Sequence, residues 1–211
     1  MEQTVRIDAL TYGEAGIGRL EDGKAVFVPN TAPGDTVRIE VTEDKKTFAH
    51  ARLLDVVEAS PDRVVPACPY AGVCGGCQWM HVSYEAQLRA KRENVVSALS
   101  HIARYDRAAA EALVGECVPS KKQLGYRNKL ELGAERDAQG RFTLGFRSES
   151  SHEFVSPDAC LLAHKAIQKA PKALRGALRF LEGNKDLGIY RVGDSTEPVS
   201  YNLAGYAQRQ R

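Results

Sequence analysis

The sequence contains no run of about 18 apolar residues, the length a membrane-crossing helix needs, so no such helix is expected. Its first ten residues, MEQTVRIDAL, carry Glu2 and Asp8 and lack a basic head followed by an apolar stretch. No secretory signal is therefore expected, and the cytoplasm is the expected compartment. Internal repeats and low-complexity tracts are absent. No Walker A sequence, no nucleophile elbow and no H-E-x-x-H occur, which removes three large classes of hydrolase. The histidines (His50, His81, His101, His152 and His164) show no ligand spacing and read as surface or packing residues. Cysteine is sparse and odd in number: five in all, three of them within ten positions. That is not a disulfide framework, and in a cytosolic chain it points to metal or redox chemistry.

The 211 residues are 43% hydrophobic and 27% charged, with a formal net charge of +2, an ordinary globular composition. A chain of this size can bury roughly 70% of its unfolded surface, as one large domain or two small ones. The near-neutral total conceals an asymmetry. Residues 1–60 hold seven Lys and Arg against eleven Asp and Glu, a balance of −4, and the remainder carries +6. Long-range attraction to a polyanion would come from the second part.

Residues 4–57 read as short strands separated by glycine turns. Val5, Ile7 and Ala9 alternate with Arg6 and Asp8; Glu21-Asp22-Gly23 makes a hairpin turn before Lys24–Val28; Pro33-Gly34-Asp35 turns the chain again ahead of Val37, Ile39 and Val41. With Phe48–Val57 this gives five strands and no helix signal, the scale of a small OB-type barrel. Gly13, Gly16 and Gly18 do not fit a nucleotide fingerprint and are expected to be turn glycines. Ser60-Pro61-Asp62 marks a boundary. Beyond it a helix is expected from Ser83 to about Arg104, with Tyr84, Leu88, Val95, Leu99 and Ile102 at helical spacing. Strands are expected at Asn128–Ala134 and Arg141–Phe146, a helix at Leu161–Leu181 broken or kinked at Pro171, and two strands at Gly188–Val192 and Val199–Leu203 around a Gly193-Asp194-Ser195 turn. The expected class is α+β: a barrel over 1–58 and a mixed central domain over 61–211.

The strongest chemical signal is Cys68-Pro-Tyr-Ala-Gly-Val-Cys74-Gly-Gly-Cys77. Three thiolates on one loop can face one centre, and Gly75-Gly76 lets the backbone wrap closely. A fourth ligand would be Cys160, which follows a Ser156-Pro-Asp turn, or Cys117, which could lie in a short buried strand; Cys160 is favoured. One C-x2-C pair instead of two argues against zinc and toward a [4Fe–4S] cluster, with zinc the runner-up and a dithiol redox pair behind both.

The run Gly13…Gly18-Arg19, Gly23-Lys24-Ala-Val-Phe-Val-Pro29 and Pro33-Gly34-Asp35 resembles a TRAM domain, a small RNA-binding barrel. Cys68…Cys74-Gly-Gly-Cys77-Gln-Trp-Met-His81 and Tyr84…Gln87-Leu88…Lys91 look like the iron–sulfur segment of the RNA uracil-5-methyltransferases. Gly125-Tyr-Arg-Asn-Lys129, Leu144-Gly-Phe-Arg147 and Asp158-Ala-Cys160 continue the likeness in order, over roughly residues 4–165. The resemblance implies a cluster held by Cys68, Cys74, Cys77 and Cys160, with Cys117 structural. It also implies a structured RNA substrate, ribosomal RNA being the closer likeness, and methyl transfer from S-adenosylmethionine to carbon 5 of an extruded uridine. The family's Rossmann domain and its Ser-Cys-Asn nucleophile segment do not occur before Arg211. The expectation is therefore an RNA-recognising amino-terminal half without catalytic residues, monomeric and inactive alone. A free-standing RNA-binding protein is the alternative; a radical enzyme, which needs an open iron and three cysteines, fits poorly. Arg127 is the first expected RNA contact, with Tyr126, Lys129, Lys121, Lys122, Arg147 and Lys24 as further candidates. Phe27 could stack a base, but its place in Ala-Val-Phe-Val favours the barrel core.

Overall fold

The structure, a computed structural model, describes residues 1–136, 142–148, 154–177, 185–190 and 200–204. It divides into two compact units. One comprises Met1–Ala71 with Gln78–Pro119, the other Gly72–Cys77 with Ser120–Arg211.

The first unit is built on five strands: β1 (Glu2–Leu10), β2 (Ala15–Arg19), β3 (Ala25–Pro29), β4 (Thr36–Asp44) and β5 (Phe48–Glu58). They close into a barrel in the order β1-β2-β3-β5-β4, with β1 also paired to β4. Closure leaves these short strands no open edge. The β3–β5 pair is parallel, and the others are antiparallel. Side-chain alternation places Val5, Ile7, Val26, Val28, Val37, Ile39, Ala49 and Ala51 inside. A register shift between Ile7 and Ala9 then turns Leu10 inward, toward a second cluster.

Gly16 and Gly18 are not turn residues, as the sequence suggested; both lie inside β2. The reason is close approach. A Cβ on Gly16 would meet Thr31 Oγ1 at 2.2 Å and Ile7 Cγ2 at 2.8 Å, and one on Gly18 would meet the Arg6 carbonyl oxygen at 2.4 Å. Gly23 does make the expected hairpin turn, with φ +85° and its amide bonded to the Leu20 carbonyl at 2.9 Å.

Helix α1 (Tyr84–His101) is capped by Ser83, whose hydroxyl accepts from the Ala86 amide. Its buried residues are Ala86, Ala90 and Val96; the larger Val95 and Ile102 of the expected stripe are exposed. Small alanines win that face because they let the helix approach Leu10, Ala32 and Val82 closely. A short helix that the sequence reading omitted, α2 (Arg107–Leu113), follows an Asp106 cap, with an Arg107–Glu111 ion pair one turn apart. Cys117 lies beyond it, half-buried and outside any strand, not in the buried strand considered for it.

The second unit is an antiparallel sheet of β6 (Lys129–Arg136), β7 (Phe142–Arg147), β8 (Phe154–Val155), β9 (Lys185–Tyr190) and β10 (Ser200–Ala204), in the order β10-β9-β6-β7-β8. Leu130, Leu132, Leu144, Ala163 and Ile167 form its core, with Phe146, Cys160, Ala170 and Leu174 against them. The long helix expected from Leu161 is replaced by turns leading to α3 (Ala170–Ala177). Pro171 stands in the first turn of that helix instead of breaking or kinking it, since the first turn needs no amide from proline. The Gly193-Asp194-Ser195 turn lies outside the described residues.

Candidate functional site

In the second unit, three segments that carry site candidates are bound together by backbone hydrogen bonds. Arg127 pairs with Ala163: its amide donates to the Leu162 carbonyl at 2.8 Å and its carbonyl accepts from His164 N at 2.7 Å. The same turn holds Cys160, whose carbonyl accepts from Ala163 N at 3.1 Å and whose amide donates to the Gln168 carbonyl at 3.2 Å. The glycine-bearing cysteine loop is fixed from two sides. Cys74 pairs with Ser148, Gly75 N donates to the Arg147 carbonyl at 3.2 Å, and the Arg127 guanidinium donates to the Gly76 carbonyl at 3.3 Å. Arg127 is thus half-buried and partly engaged in holding the loop, while Tyr126 beside it is 52% exposed.

The other cationic site candidates of this unit, Arg147, Lys129, Lys121 and Lys122, are at its surface. Arg147 lies over the Phe154 ring, 4.9 Å from its centroid, a cation–π contact that spares its donors. Lys129 is ion-paired with Glu131 on the same strand. Lys121 and Lys122 are exposed, in a turn organised by the Ser120 hydroxyl.

A thiolate-bound centre suits the donor chemistry in part. None of the five cysteines is in a disulfide, and all are half-buried. Cys74, Cys77 and Cys160 share the second unit, whereas Cys68 belongs to the first. Among the described residues, no three His, Cys, Asp or Glu side chains are gathered into a metal-holding group.

In the first unit Lys24 is already neutralised, paired with Asp44 and, at 3.4 Å, with Asp22. The bond to Asp44 holds its ammonium above the ordinary lysine range, with burial opposing and Asp22 adding to it. Phe27 is not in the core. Strand alternation puts Val26 and Val28 inside and leaves Phe27 half-buried on the outer face, with Phe48 and His50. Ring centroids stand 5.8 Å apart for Phe27–Phe48, 5.5 Å for Phe27–His50 and 5.4 Å for Phe48–His50.

The Cys77-Gln-Trp-Met-His81 run singled out in the sequence also supplies polar anchors of this unit, a role the motif did not imply. Trp79 Nε1 donates to the Gly13 carbonyl at 3.0 Å, and buried His81 donates from Nε2 to the Thr31 carbonyl at 3.1 Å. Burial holds the His81 imidazole below the ordinary histidine range, with the Thr31 bond opposing and the Arg63 charge adding to it. His81 is thus a packing residue, one of the two roles expected for the histidines.

Residues 1–54 match the TRAM domain. The chain is 38% identical over 176 residues to an uncharacterized RNA methyltransferase of Gloeobacter violaceus, covering 83% of this chain and 38% of that protein. It is 35% identical over 186 residues to the 23S rRNA (uracil(1939)-C(5))-methyltransferase RlmD of Shewanella amazonensis, covering 87% of this chain and 40% of that one. Among solved structures it is similar to the tRNA (uracil-54, C5)-methyltransferase of Pyrococcus abyssi in complex with S-adenosyl-L-homocysteine. The TM-score is 0.60 at 25% identity, over 88% of this chain and 42% of that one. The chain therefore spans about two-fifths of the length of these relatives.

Proposed function

We propose that this chain is the RNA-capturing part of an S-adenosylmethionine-dependent RNA uracil-5-methyltransferase, with folded ribosomal RNA as its substrate class. The observation that carries the reading is that the likeness runs past the TRAM barrel. It extends over 87% of the chain to a 23S rRNA uracil-C5 methyltransferase and, in three dimensions, over 88% of it to a tRNA one. The two named substrates differ in RNA class and agree on carbon 5 of uracil.

S-adenosylmethionine would supply the methyl group in the whole enzyme, and no residue of this chain is assigned to that step. The residues present would bind and orient RNA. Arg127, Tyr126, Arg147, Lys121, Lys122 and Lys129 would contact backbone or bases through the more basic part of the chain. Cys68, Cys74, Cys77 and Cys160 would hold a [4Fe–4S] cluster, with zinc the runner-up. Such a centre would act structurally, since ligation ties distant stretches of chain together. The spacing of the cysteines supports this, as does the fixing of the Cys74–Cys77 loop beside the turn that carries Cys160.

Fluorescence anisotropy of the 211-residue chain with a ribosomal RNA stem-loop bearing an unpaired uridine tests the proposal. Salt-sensitive binding, tighter than to a duplex DNA of equal length, is expected. Equal affinity for both, or none for the RNA, would overturn it.

A further inference from the structure

We propose that the outer face of the barrel at Phe27, Phe48 and His50 is a stacking platform for an unpaired RNA base. The inference rests on the RNA-capture reading above and names the chemistry of one contact within it.

Three rings converge on the same surface. The parallel β3–β5 pairing sets Ala25 opposite Phe48 and Phe27 opposite His50, so alternate residues of two neighbouring strands bring their rings to one face. Phe27 and His50 are tilted by 35°, and each stands nearly edge-on to Phe48, at 77° and 87°. The barrel core does not need these rings. Val26, Val28, Ala49 and Ala51 fill the interior beneath them, while Phe27 and Phe48 stay half-buried and His50 exposed. An aromatic group left partly in water on an outer strand face offers a π-surface to a flat ligand.

Charge selects the class of ligand. Three cations beside the platform are neutralised by acids, Lys24 by Asp22 and Asp44, Lys45 by Glu43 and Arg52 by Glu40, and residues 1–60 as a whole carry a balance of −4. Lys46 is exposed at the hairpin tip, which the Lys45 amide closes on the Phe48 carbonyl at 2.8 Å. A surface with so little unbalanced positive charge attracts a phosphate backbone weakly. Stacking needs no net charge, only an accessible base face. A duplex hides its base faces, so the ligand is a single-stranded or bulged nucleotide.

The test uses the whole chain and a single-stranded RNA of about ten nucleotides, within the site size of one such barrel, carrying 2-aminopurine, whose emission is quenched by stacking. Binding with quenching is expected. Phe27→Leu and Phe48→Leu, which keep an apolar side chain and remove the π-face, should weaken binding about 5- to 150-fold and abolish the quench. The salt dependence should stay unchanged, because no phosphate contact is lost. Phe27→Trp should retain both signals. Leucine variants that bind and quench like the parent would overturn the platform. So would a chain that binds the structured stem-loop and ignores the single strand, an outcome that leaves the proposed function standing. Failure to bind either RNA would overturn both.

Discussion

Asp35 and Arg63 form a forked ion pair whose carboxylate is wholly buried. Arg63 Nε donates to both carboxylate oxygens, at 3.1 and 3.0 Å, and its NH2 group reaches Oδ2 at 2.7 Å and the Asn30 carbonyl at 2.8 Å. The remaining acceptor capacity of the carboxylate is filled by the Ser60 amide at 2.9 Å and the Ala32 amide at 2.6 Å. Asp35 is wholly buried and Arg63 partly so; removing Arg63 leaves the carboxylate stranded in the interior, and removing the charge of Asp35 leaves a half-buried guanidinium without its counter-ion. Asp35→Asn and Arg63→Ala should each cost about 3–5 kcal/mol in chemical denaturation. Arg63→Lys should recover little of that, because an ammonium cannot reproduce the fork. A loss under about 1 kcal/mol for Asp35→Asn would mean that the pair is no more than an exposed one.

Acid should weaken this unit in two stages. The His81 imidazole is held below its unfolded value, so the native state resists a proton that the unfolded chain accepts. Stability is therefore full above a pH of about 6.5 and declines as pH falls below it. Burial pushes the Asp35 carboxyl up, but the Arg63 bonds and the Ser60 and Ala32 amides outweigh it, and the net shift is downward. Its contribution is present above a pH of about 3.9 and is lost as pH falls through the lower folded value. His81→Gln should remove the first stage and leave the second. An unfolding midpoint that does not change between pH 7 and 5 in the parent chain would contradict the assignment of His81.

The closed barrel was legible because strand alternation is written in residues such as Val5, Ile7, Val37 and Ile39. The same alternation applied to β3 and β5 would have put Phe27 and His50 outside; hydrophobicity alone drew Phe27 into the core. Gly16 and Gly18 were misread because a glycine demanded by a neighbour's approach looks no different in sequence from one demanded by a turn. The face of α1 was misjudged for a related reason. Periodicity favours the larger apolar residues, while the distance to Leu10 and Val82 admits alanine. Of the candidate site, the cysteine loop and Arg127 stood out by motif. The bond between them was not legible, since it joins a guanidinium to a carbonyl 51 positions away.

Arg127→Ala should weaken binding to the ribosomal RNA stem-loop roughly 10- to 100-fold, the value of a charge-assisted hydrogen bond, and reduce the slope of log affinity against log salt by about 0.9 if the contact is a phosphate. Lys24→Ala should change little, because Asp22 and Asp44 already balance its charge. A larger effect at Lys24 than at Arg127 would reverse the assignment of the RNA contact to the second unit.

The proposed cluster makes the sharpest demand on the cysteines. Four thiolates around four irons give a brown protein with charge-transfer absorption, so anaerobically prepared material should carry about four irons per chain. Cys68→Ser, Cys74→Ser, Cys77→Ser and Cys160→Ser should each bleach it, because a hydroxyl is a poor replacement for a thiolate at iron. Cys117→Ser is the internal control: it lies beyond α2 in the first unit, outside the Cys68–Cys77 run, and its loss should leave colour and iron content unchanged. Arg127→Ala provides a graded case. It removes one hydrogen bond to the Gly76 carbonyl but leaves the Gly75 amide on the Arg147 carbonyl, so the cluster should form and be lost faster to chelator. Stoichiometric zinc with no iron in anaerobic material would replace the cluster with a structural zinc site. Bleaching by Cys117→Ser to the same extent as Cys160→Ser would show that the ligand set is misassigned.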